Sequence, residues 1–137
     1  MSTADSADPT RWNDAFAIHN GAELLDVSPG RATARLQVSA QHLNAHGMLH
    51  GGAIFALADV AFAAASNAHG IPAVAINVSI SYLKAAREGV VTADAREISL
   101  SPRIGSYTVD VRNEQGELLA VFQGMVYRKP PPDARRA

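Results

Sequence analysis

The sequence predicts a single α+β domain in which one curved antiparallel sheet wraps around a long central helix. Three observations carry this reading. The patterned segments run as two strands, one long helix and about four more strands, the order of an antiparallel sheet with its helix on one face. The helical segment is apolar on nearly every side and rich in alanine, so a sheet can approach it closely. No repeat or composition shift divides the 137 residues, and a chain of that length with 47% hydrophobic residues fills one core rather than two.

Residues 1–9 are polar and residues 130–137 are Pro-rich and charged, so both are expected to be flexible tails around a domain spanning 10–129. Arg11 to Ile18 places Trp12, Phe16 and Ile18 on a short amphipathic helix that Asn20-Gly21 ends. Ala22 to Val27 and Arg31 to Val38 form a hairpin around Ser28-Pro29-Gly30, where Pro fixes one dihedral and Gly accepts the reverse sign. Ser39 to Leu49 is a polar connection. Gly51-Gly52 opens the long helix, which runs to about Ala68 and stops at His69-Gly70 before Pro72. Ala73 to Leu83, Val90 to Leu100, Ser106 to Arg112 and Glu117 to Tyr127 follow as strands. Tyr107-Thr108-Val109-Asp110-Val111-Arg112 alternates apolar and polar as a half-buried strand requires. Arg87-Glu88-Gly89, Ser101-Pro102-Arg103-Ile104-Gly105 and Asn113-Glu114-Gln115-Gly116 supply the turns.

Composition narrows the function classes. A net charge of −1 with no long basic run argues against nucleic acid or an anionic membrane surface as partner. The absence of cysteine removes disulfides, thiolate nucleophiles and Cys-ligated zinc. The first residues lack the basic start and apolar run of a signal peptide, and a cytoplasmic location is the expectation. Ala53 to Ala65 is about 13 residues and contains Asp59, whereas a bilayer span needs about 20 apolar residues.

The chemistry concentrates in Asn44-Ala45-His46-Gly47-Met48-Leu49-His50-Gly51-Gly52 and in Asp59. Free N–H groups at a helix N-terminus offer a positive site to an oxyanion, and Gly51 permits close approach there. The Asn44 amide would donate to the same oxygen or hold the loop. Asp59, in an almost wholly apolar helix, needs water or a partner to ionise, which puts it at a cleft as general base or nucleophile. Plainer roles stand beside these. Asp59 would serve as a structural carboxylate, Gly51 and Gly52 as packing residues, and His50 as a hydrogen-bond donor ordering the loop. His42, His46 and His50 recur every fourth residue, yet Gly47 breaks the helix that would stack them and no acidic ligand accompanies them, so no metal is expected. Ser66 and His69 lack the Gly-x-Ser-x-Gly elbow of a serine hydrolase.

The segment from Asn44 to Asp59 resembles the signature of hotdog-fold thioesterases, in particular the phenylacetate-degradation (PaaI-like) branch. That signature is an Asn, a short Gly-containing loop, His-Gly-Gly and an acidic residue in the following helix. The resemblance runs from about Ala22 to Arg128 in element order, with Tyr82-Leu83 and Phe122-Gln123-Gly124 similar too. It implies a hotdog fold and hydrolysis of acyl-CoA thioesters with aryl-acetyl or similar medium-sized acyl groups. Asp59, Gly51, Asn44 and His50 would be catalytic and Gly52 substrate-binding, with no cofactor beyond the coenzyme A of the substrate. It also implies a small polar residue that positions water on the strand after the helix, for which Asn77 and Ser79 on one strand face are candidates. Lys84, Arg87 and Arg103 are candidates for the coenzyme A phosphates. The rival readings are a non-catalytic acyl-CoA-binding hotdog domain and a hotdog hydratase or dehydratase using Asp59 with His50.

Helix geometry bears on assembly. Gly51 and Asp59 are eight residues apart, about 12 Å along the axis at 1.5 Å per residue. A base and an oxyanion donor must both lie about 3 Å from the reacting atoms, so the two groups of one chain cannot serve one thioester. Antiparallel central helices in a two-fold dimer would set Gly51 of one subunit opposite Asp59 of the other. The expectation is a homodimer with shared sites, paired again into a homotetramer.

Overall fold

The computed structural model describes residues 12–129. The expected tail residues 1–9 and 130–137 lie outside the described residues. Helix α1 (Ala15–His19) precedes strands β1 (Glu23–Ser28) and β2 (Arg31–Gln37). A 3-10 turn (Ala40–His42) and a loop lead to helix α2 (Gly51–Asn67). Strands β3 (Ala73–Tyr82), β4 (Val90–Leu100), β5 (Ile104–Arg112) and β6 (Leu118–Arg128) complete the chain. All pairings are antiparallel, in one six-stranded sheet of order β1-β2-β4-β5-β6-β3. The chain leaves the sheet after β2, traverses α2 and returns at the opposite edge, so α2 packs against all six strands. This is the α+β architecture the sequence predicts.

The packing follows from side-chain size. Seven of the 17 residues of α2 are alanine. β2 and β4 meet it with the cross-strand pairs Ala32–Ala95 and Ala34–Ala93, all buried. With little side chain on either surface, helix and sheet approach closely there. Toward β5 and β6 the filling is aromatic. Phe62 lies edge-on to Tyr107, ring centroids 5.7 Å apart, and tilted against Phe122 at 5.4 Å. The end of the Phe62 ring occupies the space over Gly124, where a Cβ would come within 2.7 Å of it.

The turn residues behave as their chemistry requires. Gly30 takes φ 79° in the β1–β2 hairpin, a sign that only glycine adopts freely. α2 ends at Asn67, one residue before the predicted end, because the Asn67 side chain diverts the backbone. Its Oδ1 accepts the Ala73 N–H at 2.9 Å and its Nδ2 donates to the Ala63 and Ala73 carbonyls, tying the helix end to β3. Nearby, Glu97 of β4 accepts from Tyr107 Oη at 2.7 Å and lies 2.7 Å from His69 Nε2, clamping the same end to the sheet.

The first helix departs from expectation. Asp14 caps it by accepting the Ala17 N–H, and this start turns Ala17 inward. Phe16 and Ile18, expected on its apolar face, are 69% and 60% exposed. Among the described residues no helix is long and apolar enough to cross a membrane.

Gly124→Ala is expected to destabilise the fold by about 1–3 kcal/mol, since the Phe62 ring is enclosed by other aromatics and cannot yield without strain. Urea unfolding at constant m-value measures this, and a midpoint equal to wild type would contradict the packing described.

Candidate active site

The loop before α2 is organised by one side chain. Asn44 Oδ1 accepts the N–H groups of His46 at 2.9 Å and Met48 at 3.1 Å, while the Asn44 N–H donates to the Met48 carbonyl at 2.7 Å. Gly47, at φ 75°, closes this tight loop and brings Leu43 beside Leu49. The Leu49 N–H then donates to the Ala86 carbonyl, and the His50 N–H to that of His42, both at 2.7 Å. The oxygen of Asn44 is thus committed to the loop. Its Nδ2 has no acceptor among the described residues and is left to donate.

His50 is the N-cap of α2, its Nδ1 accepting the Gly52 N–H at 2.7 Å. The ring orders the loop, as one reading of the sequence held, but as acceptor and not as donor. Gly52 consequently has no free N–H to offer a substrate. Gly51 differs, because its N–H has no acceptor among the described residues. Its carbonyl accepts from Tyr82 Oη at 2.9 Å, and a Cβ on Gly51 would lie 3.1 Å from Tyr82 Cζ. Tyr82 therefore holds the Gly51 peptide, a role the sequence reading missed. An aromatic at a strand end carries no signal for it.

Asn44, Gly51 and Tyr82 line one open cleft of about 320 Å³, walled by Met48, Leu49, Ile54 and the chain from Leu83 to Ala85. An unpaired N–H at the positive end of a 17-residue helix, with an amide NH₂ beside it, is a site for a developing negative charge.

Asp59 lies two turns along α2. Gly52, Phe55, Asp59 and Ala63, three or four residues apart, form the stripe of α2 that the sheet covers least. The carboxylate is half-buried and meets no hydrogen-bond donor or cation among the described residues. Burial raises its proton affinity above that of an ordinary carboxyl, and the negative charge of Asp14 raises it further. Such a group is a stronger base than an ordinary carboxylate.

The remaining candidates separate. Asn77 and Ser79 do not reach the cleft. They pair in register with Met125 and Gln123 on the sheet face turned away from α2, while Val78 and Ile80 face the helix. Lys84 lines the cleft, but its ammonium is paired with Glu117, which it holds below the usual carboxylate range. Arg87 is exposed on the same loop, next to the Ala86 carbonyl that anchors Leu49. Arg103 belongs to the other end of the molecule, its carbonyl bonded to the Arg128 N–H close to Pro72. The histidines also part. His42 is buried with Nε2 2.6 Å from the Asn20 carbonyl, His46 is exposed and His50 caps α2.

Likeness to known proteins decides the family. A family model described as Thioesterase superfamily matches residues 46–120, which include the His50-Gly51-Gly52 turn, all of α2 and β3 to β5. The chain belongs to the thioesterase superfamily. It is 37% identical over 117 residues to the acyl-coenzyme A thioesterase PaaI of Escherichia coli (strain K12), across 85% of this chain and 84% of that relative. The structure of the E. coli PaaI protein from the phenylacetic acid degradation operon aligns with a TM-score of 0.82 at 35% identity, over 86% of each chain. A mutant structure of the phenylacetic acid degradation protein PaaI from Thermus thermophilus gives 0.81 at 43% identity, over 85% of this chain and 100% of that one. The likeness to the PaaI branch first seen in the Asn44–Asp59 motif therefore holds, and this thioesterase is a thioester hydrolase of hotdog fold.

A carboxyl whose proton affinity is raised by folding contributes stability while protonated and loses it as pH rises through its folded pKa. Asp59→Asn removes that loss. In this thioesterase the variant is expected to gain melting temperature over wild type as pH climbs to 7, with the gap smallest below about pH 3, where wild-type Asp59 is mostly protonated both folded and unfolded. A gap that stays constant across that range would contradict the raised carboxyl.

Proposed function

We propose that this thioesterase hydrolyses acyl-CoA thioesters carrying aryl-acetyl or similar medium-sized acyl groups, releasing the free acid and coenzyme A. The relatives named acyl-coenzyme A thioesterase support the substrate class. The observation that carries the mechanism is the Gly51 N–H without an acceptor, in one cleft with the Asn44 amide. The thioester carbonyl oxygen accepts from Gly51 N–H and Asn44 Nδ2, and the α2 dipole stabilises the charge that develops on it. Asp59 takes a proton from water as the hydroxyl oxygen bonds to the carbonyl carbon. Collapse of the tetrahedral intermediate breaks the C–S bond, and the departing thiolate receives the proton. Direct attack by Asp59, giving a mixed anhydride that water then cleaves, balances equally. Neither route calls for a metal or a cofactor.

The separation of about 12 Å between Gly51 and Asp59 makes this a reaction of two subunits. In an antiparallel pairing that sets residue 51 against residue 59, residue 55 meets its own copy on the two-fold axis. Phe55 is there, 37% exposed on the stripe that carries Asp59. β3, an edge strand of 10 residues with Val74 and Ile76 exposed, would be continued by the second copy. The outward sheet face, with Ile98 and Met125 exposed, would pair such dimers into a tetramer. Arg87 is the first candidate for a coenzyme A phosphate. Lys84 would have to release Glu117 to join it, and Arg103 would contribute only from another subunit. The enzyme acts in the cytoplasm, on small molecules.

Asp59→Asn is expected to lower turnover by at least about a hundredfold while the protein stays folded. Free thiol released from a panel of acyl-CoA esters measures this, and only hydrolysis, not hydration or binding, liberates coenzyme A. Near-normal turnover in a folded Asp59→Asn sample would overturn the mechanism.

A further inference from the structure

Two successive glycines are a weak start for a helix, since glycine gives up the most backbone freedom on folding and helix ends fray. The start of α2 is nevertheless gripped from both sides. Two peptide groups flank the Gly51 Cα. In the first, the His50 carbonyl accepts the Ala53 N–H at 2.9 Å and the Ile54 N–H at 3.2 Å, which leaves the Gly51 N–H as its free group among the described residues. In the second, the Gly51–Gly52 peptide, both ends are taken by side chains. The Gly52 N–H donates to His50 Nδ1 at 2.7 Å, and the Gly51 carbonyl accepts from Tyr82 Oη at 2.9 Å.

The two side chains differ in what stands behind them. His50 adjoins the peptide it holds and moves with the loop. Tyr82 is the last residue of β3, opposite Ala120 of β6, and the Leu83 N–H that follows it donates to the carbonyl of buried Leu119 at 2.8 Å. Its hydroxyl is therefore a fixed point carried by the sheet. Burial pushes that hydroxyl above the ordinary phenol range, so it stays a donor at neutral pH. The contact also accounts for the glycine, because a Cβ at position 51 would lie 3.1 Å from Tyr82 Cζ and 3.2 Å from Oη. The side chain is 51% exposed, so loss of the hydroxyl removes an orientation and little burial.

We propose that Tyr82 is a positioning residue of this thioesterase, its hydroxyl setting the direction in which the Gly51 N–H meets the thioester carbonyl oxygen. This rests on the Gly51 N–H being the oxyanion donor. Only the two soft dihedrals of Gly51 join the two peptides. With the first peptide bonded into the helix and the second held from the sheet, the N–H keeps one direction. An oxyanion donor works by being aimed before the charge develops, so an error in its direction costs turnover more than binding.

The test is Tyr82→Phe, which keeps the ring and removes the donor. Its melting temperature is expected to stay within a few degrees of wild type, the scale of one half-exposed hydrogen bond. Two readouts are taken on the intact enzyme. The direction and order of the Gly51 N–H are measured without substrate by residual dipolar coupling and ¹⁵N relaxation, and the order parameter is expected to fall from about 0.85 toward about 0.6. On the acyl-CoA ester of the panel that wild type turns over fastest, kcat is expected to fall about tenfold to a hundredfold with KM changed by less than about twofold, the split of an interaction that counts in the transition state. A Gly51 N–H unchanged in direction and order overturns the proposal even if turnover falls, because Tyr82 would then act on the substrate itself. A disturbed N–H with normal turnover supports the grip on the peptide and instead overturns Gly51 as the oxyanion donor.

Discussion

A helix with almost no polar side can be kept from water only by a sheet that closes around it, and α2 imposes that constraint on the whole chain. The alanine pairs of β2 and β4 exist where the helix must come close, and the single glycine of β6 beneath Phe62 exists where its largest side chain must go. Both ends of α2 are fastened by polar side chains that the core cannot supply: His50 at the start, and Asn67 with the Glu97–His69 contact at the finish. The one stripe the sheet leaves partly open carries Phe55 and Asp59. Burial of the helix therefore sets up both halves of the proposed chemistry. It aims the unpaired Gly51 N–H at a cleft, and it takes enough water from Asp59 to strengthen it as a base.

Much of this was legible in the sequence because it depends on neighbours along the chain. Gly30 and Gly70 mark reversals that only a positive φ allows, and the period-two pattern of β5 fixes which of its residues face the core. The motif from Asn44 to Asp59 was likewise visible, since the loop, the cap and the first turn of α2 are local. What escaped depends on contacts between distant segments. Tyr82 reaches Gly51 across 31 positions, and neither segment signals the other along the chain.

Placement on a face was the other weakness. Asn77 and Ser79 were rightly seen to share a side of β3, yet alternation alone does not say which side faces the helix, and they face away. The reason lies in Val78 and Ile80, whose burial against the core sets the register of the whole strand. Gly52 shows a different limit. It lies at the helix start, as expected, but His50 claims its N–H, so of two adjacent glycines only Gly51 keeps a donor. Side-chain capping decides which backbone groups remain for a substrate, and composition does not reveal it.

In the proposed mechanism the oxyanion site and the base of one chain are about 12 Å apart, so the account stands or falls on a second copy completing each site. Mixing Asp59→Ala with Asn44→Ala under conditions that exchange subunits tests this most directly. Each heterodimer would contain one doubly defective site and one intact site, and random exchange should restore roughly a quarter of wild-type activity. Activity that stays at the level of the separate variants, with exchange demonstrated, would contradict a site shared across the two-fold.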